Sequence, residues 1–225
     1  MTMDIETLKK VCVFCGSSFG NDPIYEKTAF EMGQKLAAKK WGLVYGGGST
    51  GVMGAIANGC ATNNGYVHGI IPEALVSKER KDPDEVNKEI KENQSNHNGE
   101  TPLPDIKEYG KTTLVKDMHT RKRMMGEEVD AFVALPGGFG TFEELLEVTT
   151  WHQLGIHKKP IVLLNIKGFY NTFLKFIDES IKAGFIAEKQ RKLLNVFDNI
   201  EEAFDFIENY KHEDSMSYGL NWNNS

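Results

Sequence analysis

Ala131-Phe132-Val133-Ala134-Leu135-Pro136-Gly137-Gly138-Phe139-Gly140-Thr141-Phe142-Glu143-Glu144 sets three patterns end to end. Five apolar residues in a row, bounded by turn formers, read as a buried strand. Pro136 and the glycines end that strand in a turn. The residues that follow take up helical spacing. A glycine-rich turn that opens a helix lets backbone N–H groups close on an anion, and the positive end of the helix dipole favours it. Glu143 and Glu144 then fall one turn inside the helix, within reach of whatever the loop holds. The unit predicts a site that grips a phosphate and does chemistry beside it.

Outward from this unit, short apolar runs alternate with longer amphipathic ones. Runs at 11–15, 43–45, 66–71, 112–115, 161–164 and 194–197 join 131–135 as predicted strands. Between them Tyr25, Ala29, Met32, Gly33, Leu36 and Ala37 recur at helical spacing. Tyr170, Phe173, Leu174, Ile177 and Ile181 do the same, as do Ile200, Ala203, Phe204 and Ile207. This alternation predicts an α/β fold: a mostly parallel sheet with helices on both faces, in one domain spanning 1–210. A chain of 225 residues can bury such a core without disulfides or metals. One segment, 78–105, breaks the rhythm. From Lys78 to Glu100 its only large apolar residues are Val86 and Ile90, so a mobile insertion is expected, with at most a short surface helix on those two. Residues 211–225 make a polar tail from which Trp222 can dock.

In a parallel sheet the loops after strand C-termini share one edge, where ligands bind. Four distinctive pieces fall there: Gly16-Ser17-Ser18, Gly46-Gly47-Gly48-Ser49-Thr50-Gly51, Met118-His119-Thr120-Arg121-Lys122 and the Pro136–Glu144 loop. Topology thus brings hydroxyls, glycines, an arginine and two glutamates to one rim. Gly46-x-Gly48-x-x-Gly51 also fits the dinucleotide fingerprint, but at the second strand–helix turn instead of the first, which favours a mononucleotide or sugar phosphate. Each piece has a plainer reading as well. Thr141 and Glu144 are spaced as a capping box. Arg121-Lys122-Arg123 suits a solvated basic face, and Ser17 and Ser18 suit helix caps. His119 and His152 lack metal-ligand spacing, and Leu146 and Trp151 suit packing.

Composition narrows the classes. A formal charge of -6 argues against broad attraction to nucleic acid. No apolar run is long enough to span a bilayer, and the N-terminus lacks a signal peptide's order. Cys12-Val13-Phe14-Cys15 lies inside a predicted strand, away from the helix N-terminus a redox thiol needs, and no second metal-binding pair exists. Packing is its expected role, and the reducing cytoplasm the expected setting.

Met118-His119-x-Arg121-Lys122 followed by Pro-Gly-Gly-x-Gly-Thr-x-x-Glu at 136–144 resembles the LONELY GUY (LOG) family, often labelled lysine decarboxylases. The resemblance runs from about Val11 to Phe206, with Cys15-Gly16-Ser17-Ser18, Tyr45-Gly46-Gly47-Gly48 and Gly51-Val52-Met53-Gly54 in family order. The polar stretch near 80–105 departs from it in length. The resemblance implies a Rossmann-like homodimer that needs no metal and no organic cofactor. It implies hydrolysis of the N-glycosidic bond of an N6-substituted adenosine 5′-monophosphate, a cytokinin riboside 5′-monophosphate, to free base and ribose 5-phosphate. By the same resemblance Arg121 and Glu144 are catalytic, and Lys122, Gly138, Phe139, Gly140, Thr141, Phe142, Glu143, Thr150 and Glu79 contact substrate. The residues themselves add Ser17 and Gly137 to the phosphate grip, and Gly46, Gly47 and Gly48 to the rim. Plain AMP is an alternative substrate. A noncatalytic nucleotide or cofactor carrier, a pyridoxal-dependent decarboxylase and a dinucleotide oxidoreductase are the competing classes.

Overall fold

Polar caps and apolar runs divide the chain into its elements in the computed structural model, which describes residues 7–81, 84, 88, 100–101, 106–214, 217–218, 220 and 222. The first half holds β1 (Lys10–Phe14), α1 (Pro23–Ala38), β2 (Gly42–Tyr45), α2 (Gly51–Ala61), β3 (Val67–Pro72) and α3 (Val76–Glu79). Then come β4 (Glu100–Thr101), α4 (Ile106–Tyr109), β5 (Lys111–Val115), α5 (Met118–Glu128) and β6 (Ala131–Ala134). The chain finishes through α6 (Phe139–Gln153), β7 (Ile161–Leu164), α7 (Asn171–Lys182), β8 (Asn195–Phe197) and α8 (Ile200–Asn209). Asp22, Asp117 and Asn199 start α1, α5 and α8 by accepting a first-turn backbone N–H on the side chain.

The strands form one sheet in the order β4-β5-β3-β2-β1-β6-β7-β8. All pairings are parallel except β4 with β5. This is the expected α/β, Rossmann-like arrangement, and every predicted strand forms within one residue of its expected ends. The chain builds outward from β1 through β2, β3 and β5, then returns to the other side of β1 with β6. That reversal opens a crevice at the C-terminal ends of β1 and β6, the place where such sheets take ligands. The short edge strand β4 was not foreseen, because two residues carry no readable alternation.

Alternate residues of β1 feed two core layers. Val11 and Val13 pack with Leu43, Tyr45, Met32, Ile56 and Phe204 under α1, α2 and α8. Cys12 and Phe14 pack with Val44, Phe132, Met125, Leu145 and Ile177 under α5, α6 and α7. Cys12 and Cys15 therefore lie in opposite layers as free, buried thiols. Burial pushes the third thiol, Cys60, up to about 12. The strand-packing reading of the cysteines holds.

Among the described residues no helix is long and apolar enough to cross a membrane. The tail docks on the end of α6. Tyr218 N–H donates to the Gln153 carbonyl and Trp222 Nε1 to the Leu154 carbonyl, both at 2.9 Å. Most of the expected insertion, with Val86 and Ile90, lies outside the described residues.

Candidate active site

Three loops are laced together at the crevice. Gly16 N–H donates to the Pro136 carbonyl at 3.1 Å, and Met53 N–H to the Gly16 carbonyl at 3.1 Å. Thr50 Oγ1 donates to the Ser17 carbonyl at 3.1 Å. The loops after β1, β2 and β6 are thus hydrogen-bonded to one another as one lip.

On this lip α6 begins earlier than its sequence suggests. Its first residue is Phe139, its N-cap is Gly138, and no side chain caps it. Thr141 is therefore inside the helix and buried, and the expected Thr141–Glu144 capping box does not form. A side chain at Gly137 would put Cβ 2.1 Å from Thr141 Oγ1, so only glycine lets the turn close over that threonine. The first helical bond is Phe142 N–H to the Gly138 carbonyl, which leaves the N–H groups of Phe139, Gly140 and Thr141 outside the helix ladder. A side-chain-free helix start of this kind takes an anion on its backbone.

Arg121 enters from the first turn of α5. Asp117 caps that helix by accepting from Thr120 N–H at 2.8 Å, which fixes the turn that carries Arg121. The guanidinium is buried. Nη2 donates to the Gly46 carbonyl at 3.2 Å and lies 4.0 Å from Glu144 Oε1. Nε is buried with no hydrogen-bond partner among the described residues. Gly46 is glycine because Arg121 lies on it: a Cβ there would sit 2.1 Å from Nη2.

Glu144 and Glu143 part company. Glu144 points inward, and burial pushes its carboxyl up to about 7, with Glu143 and Glu79 adding to the rise while Arg121 and Lys122 oppose it. Glu143 stays at the rim, ion-paired to Lys122. Lys122 also reaches Glu147 at 3.3 Å, so this lysine holds α6 to α5. Glu79, the last residue of α3, faces Arg121 from the far wall. Burial raises its carboxyl as well, and the arginine partly offsets this.

The resulting cleft holds about 220 Å³. Of the predicted residues, Ser17, Glu79, Arg121, Gly138, Phe139, Gly140, Thr141, Glu143 and Glu144 line it. Gly137 lines an adjoining, largely apolar hollow of about 250 Å³ with Phe19, Tyr25 and Phe169. The others lie elsewhere. Gly46, Gly47 and Gly48 back the wall instead of lining it, and Gly47 offers its carbonyl to Arg80 Nη1 at 2.8 Å. Phe142 turns away to stack on Phe169 and Phe173. Thr150 is exposed on α6, its Oγ1 donating to the Leu146 carbonyl at 2.8 Å. Six residues after Glu144 is about 600° of helix rotation, so the two side chains face different ways. Cys15, Gly16, Met53 and Met118 also line the cleft; sequence reasoning had put Gly16 and Met118 on the rim but assigned none of the four to the site. Met118 sits one turn before Arg121, a spacing that marks it as a neighbour of the guanidinium.

A family model described as "Possible lysine decarboxylase" matches residues 53–207. The cytokinin riboside 5′-monophosphate phosphoribohydrolase LOG7 of Arabidopsis thaliana is 41% identical over 215 residues, covering 95% of this chain and 88% of that protein. The probable cytokinin riboside 5′-monophosphate phosphoribohydrolase LOGL3 of Oryza sativa subsp. japonica is also 41% identical over 215 residues, covering 95% of this chain and 90% of that protein. The chain belongs to the LOG family. Its LOG fold is also similar to the molybdenum cofactor carrier protein of Chlamydomonas reinhardtii, with a TM-score of 0.60 at 20% identity over 89% of this chain and 96% of that one. That likeness is one of fold alone. The decarboxylase description fits the LOG cleft poorly, since no lysine lines it among the described residues to anchor a pyridoxal group. No group of three or more His, Cys, Asp or Glu is placed to hold a metal ion among those residues.

Proposed function

We propose that this chain hydrolyses the N-glycosidic bond of N6-substituted adenosine 5′-monophosphates, releasing free base and ribose 5-phosphate. One observation carries the reading: a buried Arg121–Glu144 pair stands beside an uncapped helix N-terminus. The helix start and Ser17 take the 5′-phosphate. The ribose then lies over Arg121 and Glu144. Breaking its bond to the base passes through a sugar cation, which a carboxylate against the ring stabilises. Glu144 is that carboxylate, and it takes the proton of the attacking water. Arg121 keeps its charge throughout and so cannot be the acid; it binds oxygen atoms of the substrate and holds Glu144 in place. Burial holds the Glu144 carboxyl up to about 7, so its ionisation falls within the working pH range of a general base.

The active unit is a homodimer in this reading. Phe139, Glu143, Leu146 and Thr150 form one exposed stripe along α6, and Phe139 and Leu146 are large apolar residues on it. A second copy on that stripe would stand at the mouth of the cleft. The free, buried thiols fit a reducing, cytoplasmic setting.

Incubation with AMP and with N6-isopentenyl-AMP, followed by chromatography, tests the reaction. Free base is expected from the N6-substituted nucleotide, and Glu144→Gln should lower turnover about 10²-fold or more. A folded Glu144→Gln protein at full activity would overturn the assignment. Binding without base release from either nucleotide would favour a carrier.

A further inference from the structure

Glu79 faces the same guanidinium as Glu144 from across the cleft, and its backbone is fastened there. Ser49 N–H at 2.8 Å and Thr50 Oγ1 at 3.4 Å both donate to the Glu79 carbonyl. Arg80 Nη1 donates to the Gly47 carbonyl at 2.8 Å, and Lys81 N–H to Ser49 Oγ at 2.8 Å. These bonds tie the end of α3 to the loop after β2. The Glu79 side chain then enters the cleft with Oε2 buried and accepting no hydrogen bond among the described residues. Such an oxygen is cheaper to bury as part of a neutral acid than as a carboxylate.

Glu79 also stands on the side where the base must go. The sheet order places β3, and so Glu79, two strands beyond β1, whereas the phosphate cradle follows β6 on the other side. A nucleotide with its phosphate on α6 and its ribose over Arg121 and Glu144 extends its base toward Glu79. We infer that Glu79 is the general acid of the reaction, passing its proton to a ring nitrogen of the leaving base. This deepens the phosphoribohydrolase reading and rests on it. The bond between C1′ and N9 breaks with its electron pair going to the base. The Glu79 proton joins that base, water oxygen bonds to C1′, and the water proton goes to Glu144. Solvent then returns one proton from Glu144 to Glu79, and the only net reactant besides the nucleotide is water.

The charged and titratable groups facing this carboxyl are Arg121 from α5, Glu144 from α6 and the Cys15 thiol beyond β1. Arg80 turns away, to Gly47 and the Tyr109 ring. Burial raises both carboxyls, and the charge of Glu79 raises Glu144 further, so the two titrate as a coupled pair whose last proton rests on Glu144 in the free protein. A nucleotide whose ribosyl cation develops against Glu144 favours the ionised form of Glu144, so the shared proton passes to Glu79.

The decisive comparison is Glu79→Gln against the unaltered protein on AMP or N6-isopentenyl-AMP and on the N7-methylated form of the same nucleotide. The methylated base carries a positive charge and leaves neutral without a proton. On the ordinary nucleotide the variant should lose about 10²-fold or more in kcat. Its pH profile should lose the alkaline limb and keep the acid limb. On the methylated nucleotide it should turn over almost as fast as the unaltered protein. Equal losses on both nucleotides, or an alkaline limb that survives in the variant, would overturn the assignment. An unaltered protein that cleaves neither nucleotide would overturn the hydrolase reading itself, and this assignment with it.

Discussion

Glu144 keeps its proton to about pH 7 because the folded chain shuts water away from it. The unfolded chain releases that proton near the ordinary carboxyl value of 4.5. Between those values the folded state binds more protons than the unfolded one, so this residue makes stability fall as pH rises, by about 3 kcal/mol at most. His152 and His157 act in the opposite sense. Burial lowers both to about 4, so the stability they contribute is present above 6.5 and is lost as pH falls. The two trends partly cancel in the unaltered chain. Glu144→Gln removes one of them and keeps the shape of the side chain. Its melting temperature, minus that of the unaltered protein, should therefore grow as pH is raised from about 5 to about 8. A difference that stays constant over that range would mean that Glu144 ionises freely in the folded protein. The active-site acid is thus expected to cost stability at the pH where it works.

The loop between β2 and α2 shows the same economy at the scale of an element. Gly46 leaves no side chain between the loop and Arg121, and the arginine fills that space while donating to the Gly46 carbonyl at 3.2 Å. Gly46→Ala should displace the guanidinium from Glu144. Stability should fall by about 1–3 kcal/mol, as for other overpacked sites. Turnover should fall further than that, because the displaced group belongs to the reaction centre. Denaturant melts and base-release assays on one preparation check both effects; normal turnover would show that the arginine can work from elsewhere. The elements themselves were legible because buried parallel strands are short unbroken apolar runs, as at 131–135 and 161–164. What the sequence hid is how α6 starts. Thr141 and Glu144 have the spacing of a capping box, but tertiary packing draws the helix back to Phe139 and buries the threonine under Gly137. The same packing separates Glu143 from Glu144, adjacent in sequence but turned to Lys122 and Arg121 respectively. Spacing reports which residues share a turn; it does not report which of them the neighbouring helix will bury.

For the whole molecule the open question of geometry is Thr150. The family resemblance makes it a substrate contact, yet it does not line the cleft of its own chain. It lies 11 residues beyond Phe139, about 16 Å along the axis of α6, on the stripe that also carries Leu146. A second chain seated on that stripe is the arrangement that brings a cleft to Thr150. Leu146→Asp would place a charge at the centre of such an interface without touching the cleft. It should convert a dimer to a monomer in light scattering and lower kcat/KM, whereas an unaltered protein that is already monomeric at assay concentration would remove the dimer from the account. Mixing two impaired chains then separates the two possible positions of Thr150. Thr150→Arg should block the partner's cleft, and Glu144→Gln should silence its own. A mixed dimer contains one cleft with an intact Glu144 and, facing it, an intact Thr150 from the Glu144→Gln chain. Activity should therefore rise on mixing well above the residual level of either parent. If Thr150 served its own chain, the cleft with the intact Glu144 would still carry the arginine, and mixing would restore nothing.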